Sequence, residues 1–205
     1  MITIVDYGVG NIQALLNMYN HLGVDAQASG DLDTIASADK LLLPGVGAFD
    51  KAMSALDKQG LVSALEHAVI RRRVSVLGIC LGMQLLARSS EEGKLRGLGW
   101  IDAEVKRIDK SHDPNLKVPH MGWAEIVPTR PSLLFPTGQG PDRFYFVHGY
   151  HMVCASSLDV VANVDYSGSI CCAINRDNIW GVQFHPEKSH RFGMRLLSAF
   201  ANIIP

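Results

Sequence analysis

The sequence predicts an α/β fold with an open, mainly parallel sheet, helices on both faces and additional antiparallel strands. Short apolar strands alternate with helical patterns through the first half of the chain, which is typical of a parallel sheet covered by helices. The second half instead contains strand-like segments joined by turns. With 205 residues, of which 47% are apolar, the chain can bury a full core. We therefore expect a single domain over residues 1–205.

The first strand and helix begin this pattern. Met1 to Asp6 is a short apolar run that predicts a buried strand, and Asn11 to Leu22 predicts a helix that Gly23 ends. The junction Gly8-Val9-Gly10-Asn11-Ile12-Gln13 begins like a dinucleotide-binding fingerprint but lacks its third glycine. We therefore predict a loop here, either beside a functional site or at a partner surface.

The next strands end at glycine-rich turns. Lys40 to Leu43 predicts a second strand, which stops at Pro44-Gly45-Val46-Gly47. Two helices are predicted after it, from about Phe49 to Leu56 and from about Leu61 to Arg72, and then a strand from Val74 to Ile79. Ligands bind at the carboxyl ends of strands in an open α/β sheet, so these turns are the expected edge of a binding crevice.

The second half is predicted to form hairpins beside the sheet or extending it. A long surface loop rich in proline and glycine is expected from Pro128 to Asp142, and a last helix from about Phe192 to Ile203. The predicted strands are Ala103 to Ile108, Ala124 to Val127, Phe144 to Cys154, Val160 to Asp165, Ile170 to Ile174 and Trp180 to Phe184.

The run Gly78-Ile79-Cys80-Leu81-Gly82 has the layout of a nucleophile elbow with cysteine in place of serine. A strand that turns sharply into a helix holds its apex residue in a strained, accessible position, and the flanking glycines leave room for neighbouring backbone. The helix N-terminus favours the thiolate, which is the attacking form. The run predicts a catalytic cysteine; a tight turn with an inert buried thiol is the alternative.

A base and its orienting group follow the last predicted strand. In His185-Pro186-Glu187 the carboxylate can hold the imidazole in one tautomer, and the imidazolium can pair with a Cys80 thiolate. An oxyanion needs donors as well, and the backbone N–H of Leu81 is one. The second donor is expected from the Gly-Val-Gly turn around Val46, whose glycines would let that peptide reorient; a plain strand-to-helix turn is the alternative.

Charge and composition argue against several partner classes. The net charge of −1 offers no general attraction for nucleic acid, and no apolar stretch approaches the roughly 18 residues of a membrane span. The first residues are not basic and the four cysteines lack C-x-x-C spacing, so we expect a protein of the reducing cytoplasm.

The histidines of the second half do not predict a metal site. His148 and His151 have no third ligand on one strand face, so neither a metal nor a cofactor is expected. His120, Met121 and Trp123 form a cluster that fits core packing and a partner interface equally well.

Five motifs together resemble the class I (triad) glutamine amidotransferases, and within them the glutaminase subunits of imidazole glycerol phosphate synthase. The resemblance runs from Asp6-Tyr7-Gly8 to the last helix. Its motifs are Pro44-Gly45-Val46-Gly47, Gly78-Ile79-Cys80-Leu81-Gly82-Met83-Gln84, Pro119-His120-Met121-Gly122-Trp123, Phe146-Val147-His148 and Phe184-His185-Pro186-Glu187-Lys188-Ser189. The resemblance implies roles as follows: a triad of Cys80, His185 and Glu187, oxyanion donors at Val46 and Leu81, and a glutamine pocket lined by Gly45, Gly47, Gly82, Gln84 and Glu92.

The resemblance also implies a reaction and a partner. Glutamine would be hydrolysed through a glutamyl thioester, with Glu92 reading its amino group, and the ammonia would pass to a second protein because the family fold uses all 205 residues. In the family that partner is a (β/α)8-barrel cyclase of histidine biosynthesis, which forms a heterodimer with the glutaminase. Asn11, Trp123 and Lys188 match the positions that face it.

Other functions remain open at this stage. Residues 91–103 and 188–193 resemble paralogues that feed ammonia to a sugar amidotransferase in bacterial surface-polysaccharide synthesis. Gly149 stands where the family usually has serine, which removes a hydroxyl beside the expected glutamine pocket. A stand-alone cysteine hydrolase and a catalytically silent binding subunit are the remaining alternatives.

Overall fold

The computed structural model describes residues 1–111, 113–135 and 141–203. Within these ranges the helices are α1 (Ile12–His21), α2 (Leu32–Ser37), α3 (Phe49–Lys58), α4 (Leu61–Glu66, continued by a π-helical turn, His67–Arg71), α5 (Leu81–Leu85) and α6 (His190–Asn202). The strands are β1 (Ile2–Val5), β2 (Ala26–Ser29), β3 (Lys40–Gly45), β4 (Ser75–Cys80), β5 (Ser89–Ser90), β6 (Ala103–Arg107), β7 (His120–Pro128), β8 (Arg143–His148), β9 (Tyr150–Cys154), β10 (Val160–Asp165), β11 (Ser169–Arg176) and β12 (Ile179–Val182).

Nine strands form one sheet in the order β2-β1-β3-β4-β12-β11-β10-β7-β8. The pairs from β2 to β12 are parallel, whereas those from β12 to β8 are antiparallel. Strand β12 therefore joins the two parts of the sheet. The predicted combination of parallel strands, helices on both faces and added antiparallel strands is confirmed.

The sheet separates two apolar layers. In β3, Leu41 and Leu43 pack into one layer and Leu42 into the other, because side chains alternate across a strand. Helices α2 to α5 and the small sheet pack on the first layer, and α1 and α6 pack on the second. Among the described residues, no helix has the length and apolar character needed to cross a membrane.

The single strand predicted from Phe144 to Cys154 is wrong. The segment divides at Gly149: β8 pairs with β7 in the large sheet, while β9 pairs with β6 in a second sheet of order β5-β6-β9. Both halves are rich in aromatic and apolar residues, so periodicity does not reveal the change of sheet. The glycine between them is the one local indication of a bend.

Other boundaries differ in smaller ways. Strand β2 and helix α2 were not predicted, because the edge strand Ala26–Ser29 is only partly buried and the helix has six residues. Strand β7 begins at His120, and β12 ends at Val182 instead of Phe184. In the predicted loop after β7, Ser132 and Phe135 form an isolated bridge, and residues 136–140 lie outside the described ranges.

The carboxyl ends of β3, β4 and β12 lie side by side. Gly45 at the end of β3 is the register partner of Cys80 at the end of β4, and Val182 near the end of β12 pairs with Ile79. The turns after these strands carry Val46, Leu81 and His185. The sheet thus places the predicted site residues at one edge, as expected for an open α/β fold.

Candidate active site

Cys80 occupies a strained position at the junction of β4 and α5. Its backbone has φ 54° and ψ −110°, a conformation that L-residues rarely adopt, and its side chain is 7% exposed. The flanking glycines permit close contact between chain segments. A Cβ on Gly78 would lie 2.7 Å from the carbonyl oxygen of Gly82, and one on Gly82 would lie 1.8 Å from that of Leu43. The predicted elbow is therefore present, although α5 has only five residues.

His185 and Glu187 meet in a short 3-10 turn after β12. The imidazole Nδ1 lies 2.7 Å from the carboxylate Oε1, and both side chains are almost fully buried. The turn is fixed to β8 because the N–H of His185 donates to the carbonyl of Tyr145, and Ser189 Oγ accepts from the N–H of Tyr145. Ser189 Oγ also donates to the carbonyl of His185 at 2.6 Å. The predicted meeting of the histidine and the glutamate is confirmed.

The charges on His185 and Glu187 stabilise each other. Burial opposes a charge on His185, but hydrogen bonds and electrostatic attraction to Cys80 and Glu187 outweigh it and raise the imidazole pKa to about 9. Burial likewise acts to raise the pKa of Glu187, yet its interactions with His185 and a hydrogen bond from Asn11 lower it. The arrangement favours an imidazolium that pairs with the Glu187 carboxylate at neutral pH.

Asn11 contacts the site directly. Its Nδ2 donates to Glu187 Oε1 at 2.8 Å, although the two residues are far apart in the chain. The loop before α1 reaches this position because Gly10, with φ 114°, packs against the ring of Pro44 at a distance that a Cβ would make too short. The predicted loop therefore lies beside the site.

A cavity of about 310 Å³ opens in front of Cys80. Gly45 and Gly82 lie behind its wall, in the close contact between β3 and the elbow. Glu187, Asn11 and Trp123 are not among its lining residues. The cavity is lined by Val46, Gly47, Cys80, Leu81, Gln84, Glu92, Val147, His148, Gly149, Tyr150, His185 and Lys188.

Two side chains in the cavity wall are held by hydrogen bonds that leave acceptor atoms unused. Gln84 Nε2 donates to the carbonyl of Tyr150 and to Gln183 Oε1, both at 3.0 Å. Glu92 Oε2 accepts from the N–H of Phe49 at 2.9 Å, at the start of α3. Neither Gln84 Oε1 nor Glu92 Oε1 is used in these bonds, so both oxygens are available to a ligand.

Two residues of the site, His148 and Gln183, were not among the predicted ones. His148 was considered as a metal ligand, but it lines the cavity and its Nδ1 donates to the carbonyl of Tyr150 at 2.8 Å. Gln183 is fully buried, and its Nε2 lies 3.7 Å from Cys80 Sγ. It stands two residues before His185, which is the one local indication that it belongs to the site.

The cluster after Pro119 divides between core and surface. His120 is buried and stacks on Phe146 and Tyr166. Met121 and Trp123 are 63% and 40% exposed, respectively. An exposed apolar surface therefore lies close to the candidate site. Trp123 stacks on His190 there, and Lys188 Nζ lies over the ring of Tyr145.

Buried histidines predict that the fold loses stability in acid. Burial lowers the pKa of His120 to about 4 and that of His148 to about 3, both below the value of 6.5 expected in an unfolded chain. The unfolded state therefore binds more protons as pH falls from 6.5 to 4, and each histidine lowers the free energy of unfolding by up to about 1.4 kcal/mol per pH unit. The free energy of unfolding, measured by urea denaturation at a series of pH values, should depend less steeply on pH in His120→Phe than in the wild type. Identical slopes would contradict this prediction.

Comparison with known proteins identifies relatives along the whole chain. The family model described as glutamine amidotransferase class-I matches residues 3–203. Imidazole glycerol phosphate synthase subunit HisH 2 of Pseudomonas aeruginosa is 46% identical over 204 residues, covering 100% of both chains. The HisH subunit of Leptospira interrogans is 44% identical over 204 residues and covers 99% of this chain and 100% of its own.

Solved structures show the same fold at low sequence identity. A structure titled glutamine amidotransferase has a TM-score of 0.77 at 16% identity and covers 99% of this chain and 100% of its own. PurLQS from Thermotoga maritima has a TM-score of 0.75 at 16% identity, covering 98% of this chain and 97% of the matched chain.

Proposed function

The chain belongs to the class I glutamine amidotransferases and, within them, to the family of HisH subunits of imidazole glycerol phosphate synthase, and from that premise we propose that it is the glutaminase subunit of such a synthase. The observation that supports this most strongly is the strained Cys80 facing a cavity beside the His185–Glu187 pair. The proposal treats residues 1–205 as one amidotransferase domain.

The reaction begins with attack by the Cys80 thiolate on the side-chain amide carbon of glutamine. Backbone N–H groups of Leu81 and Val46 stabilise the oxyanion of the tetrahedral intermediate. His185 then gives its proton to the departing nitrogen, so that ammonia leaves and a glutamyl thioester remains. Neutral His185 next removes a proton from water, which attacks the thioester and releases glutamate and the thiolate.

The cavity wall supplies recognition of the glutamine. Gln84, Glu92 and the backbone around Gly47 are assigned to the substrate, whereas Gly45 and Gly82, also expected to line the pocket, lie behind its wall and hold the elbow against β3. Glu92 is the natural partner of the substrate's α-amino group, because a carboxylate attracts an ammonium and one of its oxygens is already fixed by α3. A volume of about 310 Å³ is large enough to admit a single amino acid.

The second oxyanion donor is proposed to be the point of control. Val46 is 39% exposed and is flanked by Gly45 and by Gly47, which has φ 94°. A peptide between two glycines can rotate at low steric cost, so its N–H can point toward or away from the oxyanion. Glutaminase activity would then be low until a partner holds this turn in the active orientation.

The proposed partner is a (β/α)8-barrel cyclase that receives the ammonia in a cytoplasmic heterodimer. Trp123, Lys188 and Asn11 are assigned to the interface. Exposed Trp123 offers a large rigid contact, which is typical of interface anchors. Asn11 would couple the interface to catalysis, because its amide is bonded to Glu187.

The test is glutamate release from glutamine by the purified chain, alone and with the histidine-pathway cyclase of the same organism plus its nucleotide substrate. Strong stimulation by the cyclase supports the proposal. A cyclase that uses free ammonia but does not stimulate glutamate release contradicts the assigned partner and points to a sugar amidotransferase. Cleavage of peptides but not glutamine would instead indicate a cysteine hydrolase.

Substitution of Trp123 should weaken the complex selectively. Trp123→Ala removes an aromatic side chain that is 40% exposed and stacked on His190, and we expect the cyclase Kd to rise about 10- to 30-fold. Titration calorimetry would measure it. Leu158→Ala is the matched control, because Leu158 is apolar and 77% exposed but lines a different cavity. An equal loss of affinity in both variants, or in neither, would place the interface elsewhere.

A further inference from the structure

A chain of side-chain amides joins the cavity wall to the candidate nucleophile. Gln84 Nε2 donates to the carbonyl of Tyr150 and to Gln183 Oε1, each at 3.0 Å, and Gln183 Nε2 donates to Cys80 Sγ at 3.7 Å. Gln183 is fully buried, and its backbone N–H donates to the carbonyl of Cys172 at 2.9 Å. The amide that faces the sulfur is therefore held by β11 on one side and by Gln84 on the other.

The orientation of both amides follows from their partners. The carbonyl oxygen of Tyr150 only accepts hydrogen bonds, so the Gln84 atom that faces it must be the NH2 nitrogen. The same nitrogen faces Gln183, which must then present its own oxygen. The remaining NH2 group of Gln183 points to Cys80 Sγ. A backbone carbonyl thus determines that the sulfur receives a donor.

We infer that Gln183 is a further catalytic residue, which stabilises the Cys80 thiolate by donating an amide hydrogen bond to its sulfur. A donor to an ionised group favours the charged form, and burial strengthens the interaction because water does not compete. Gln84 and the carbonyl of Tyr150 position this donor. The inference rests on Cys80 being the nucleophile of the proposed function.

Other titratable groups lie around the sulfur. Tyr7 lies near Cys80, and its hydroxyl donates to the carbonyl of Pro44 at 2.6 Å. The test must therefore change Gln183 while leaving the remaining charged and titratable groups in place. Those groups are Tyr7 after β1, Glu92 between β5 and β6, His148 at the end of β8, Tyr150 at the start of β9, and His185, Glu187 and Lys188 after β12.

Gln183→Glu is the sharpest variant. The carboxylate keeps an oxygen for Gln84 but replaces the donor to Cys80 by an acceptor. Iodoacetamide is uncharged, so its rate of alkylation at Cys80, followed by peptide mass spectrometry, reports the thiolate fraction across pH. We expect the midpoint of this profile to rise by about one pH unit or more and the rate at pH 7 to fall about tenfold. Gln183→Met, which removes the donor without adding charge, should shift the midpoint in the same direction.

Gln27→Glu is the control, because Gln27 lies on edge strand β2, separated from β4 by β1 and β3. Circular dichroism establishes which variants are folded, and Gln183→Met serves as the test if Gln183→Glu is not. Folded Gln183 variants with the wild-type alkylation profile would overturn the inference. The readout needs neither glutamine nor a cyclase, so the two failures are distinguishable. Absence of glutamate release even with the cyclase and its nucleotide would refute the proposed function, whereas a shifted alkylation profile would still show that Gln183 donates to the Cys80 sulfur.

Discussion

Cys80→Ala is expected to lower glutamine-dependent glutamate release by about 10⁴-fold or more, since loss of a nucleophile removes the covalent route altogether. Cys80 is the one residue of the proposed mechanism that forms a bond to the substrate. The remaining cavity would still bind glutamine, so the loss should appear in kcat and not in affinity. Release of glutamate in a coupled assay, in the presence of the cyclase and its nucleotide, measures the effect.

Two controls separate lost chemistry from lost structure. Cys154→Ala removes a thiol that lines a different cavity, and its activity should stay near the wild-type level. The complex containing Cys80→Ala should still support synthesis from added ammonia, because the proposed cyclase does that step itself. Glutamate release by Cys80→Ala at near wild-type rates would refute the role of Cys80 and the proposed mechanism with it.

The parts of the site that follow from close neighbours in sequence could be predicted. The spacing of Gly78 and Gly82 around Cys80 indicates an elbow, because each glycine marks a point where two backbone segments touch. His185 and Glu187 are two residues apart, and the turn that joins them brings them together. The alternation of strands and helices in the first half likewise follows from local periodicity.

The parts that depend on distant contacts could not be predicted. Nothing local to Asn11 indicates that its amide would meet Glu187, and nothing local to Gln183 specifies a bond to Cys80. These contacts can be predicted only when the order of β1, β3, β4 and β12 in the sheet is known. The prediction of one continuous strand through Gly149 was wrong for the same reason. Each half of that segment has the composition of a strand, and only tertiary pairing assigns the two halves to different sheets.

The elbow around Cys80 depends on both the local glycine spacing and the order of strands in the sheet. The glycine spacing predicts that another backbone segment packs closely against the elbow. The sheet order determines that this segment is β3, which leads into the proposed oxyanion turn. The same contact therefore holds the nucleophile and positions the residues before Val46. A change in this contact should affect stability and catalysis together.

Gly82→Ala is expected to lower the free energy of unfolding by at least about 3 kcal/mol, at the upper end of the cost of overpacking. The new Cβ would lie 1.8 Å from the carbonyl oxygen of Leu43 and 2.8 Å from its carbonyl carbon, so backbone of β3 or α5 must move. The φ of Gly82 is not in the left-handed region, so the cost is steric. Urea denaturation at pH 7 measures it, and alkylation of Cys80 should slow or lose its site selectivity as the elbow shifts.

Gly149→Ala is the matched control because a Cβ there meets only Val118 Cγ1, at 3.7 Å, and Gly149 has no left-handed φ. Its stability should change by less than about 0.5 kcal/mol, as for substitutions away from tight packing. Equal stability of Gly82→Ala and Gly149→Ala would contradict the close contact between β3 and the elbow. A large loss confined to Gly82→Ala would instead show that the glycine two residues after Cys80 is needed to seat the nucleophile against the strand that carries Val46.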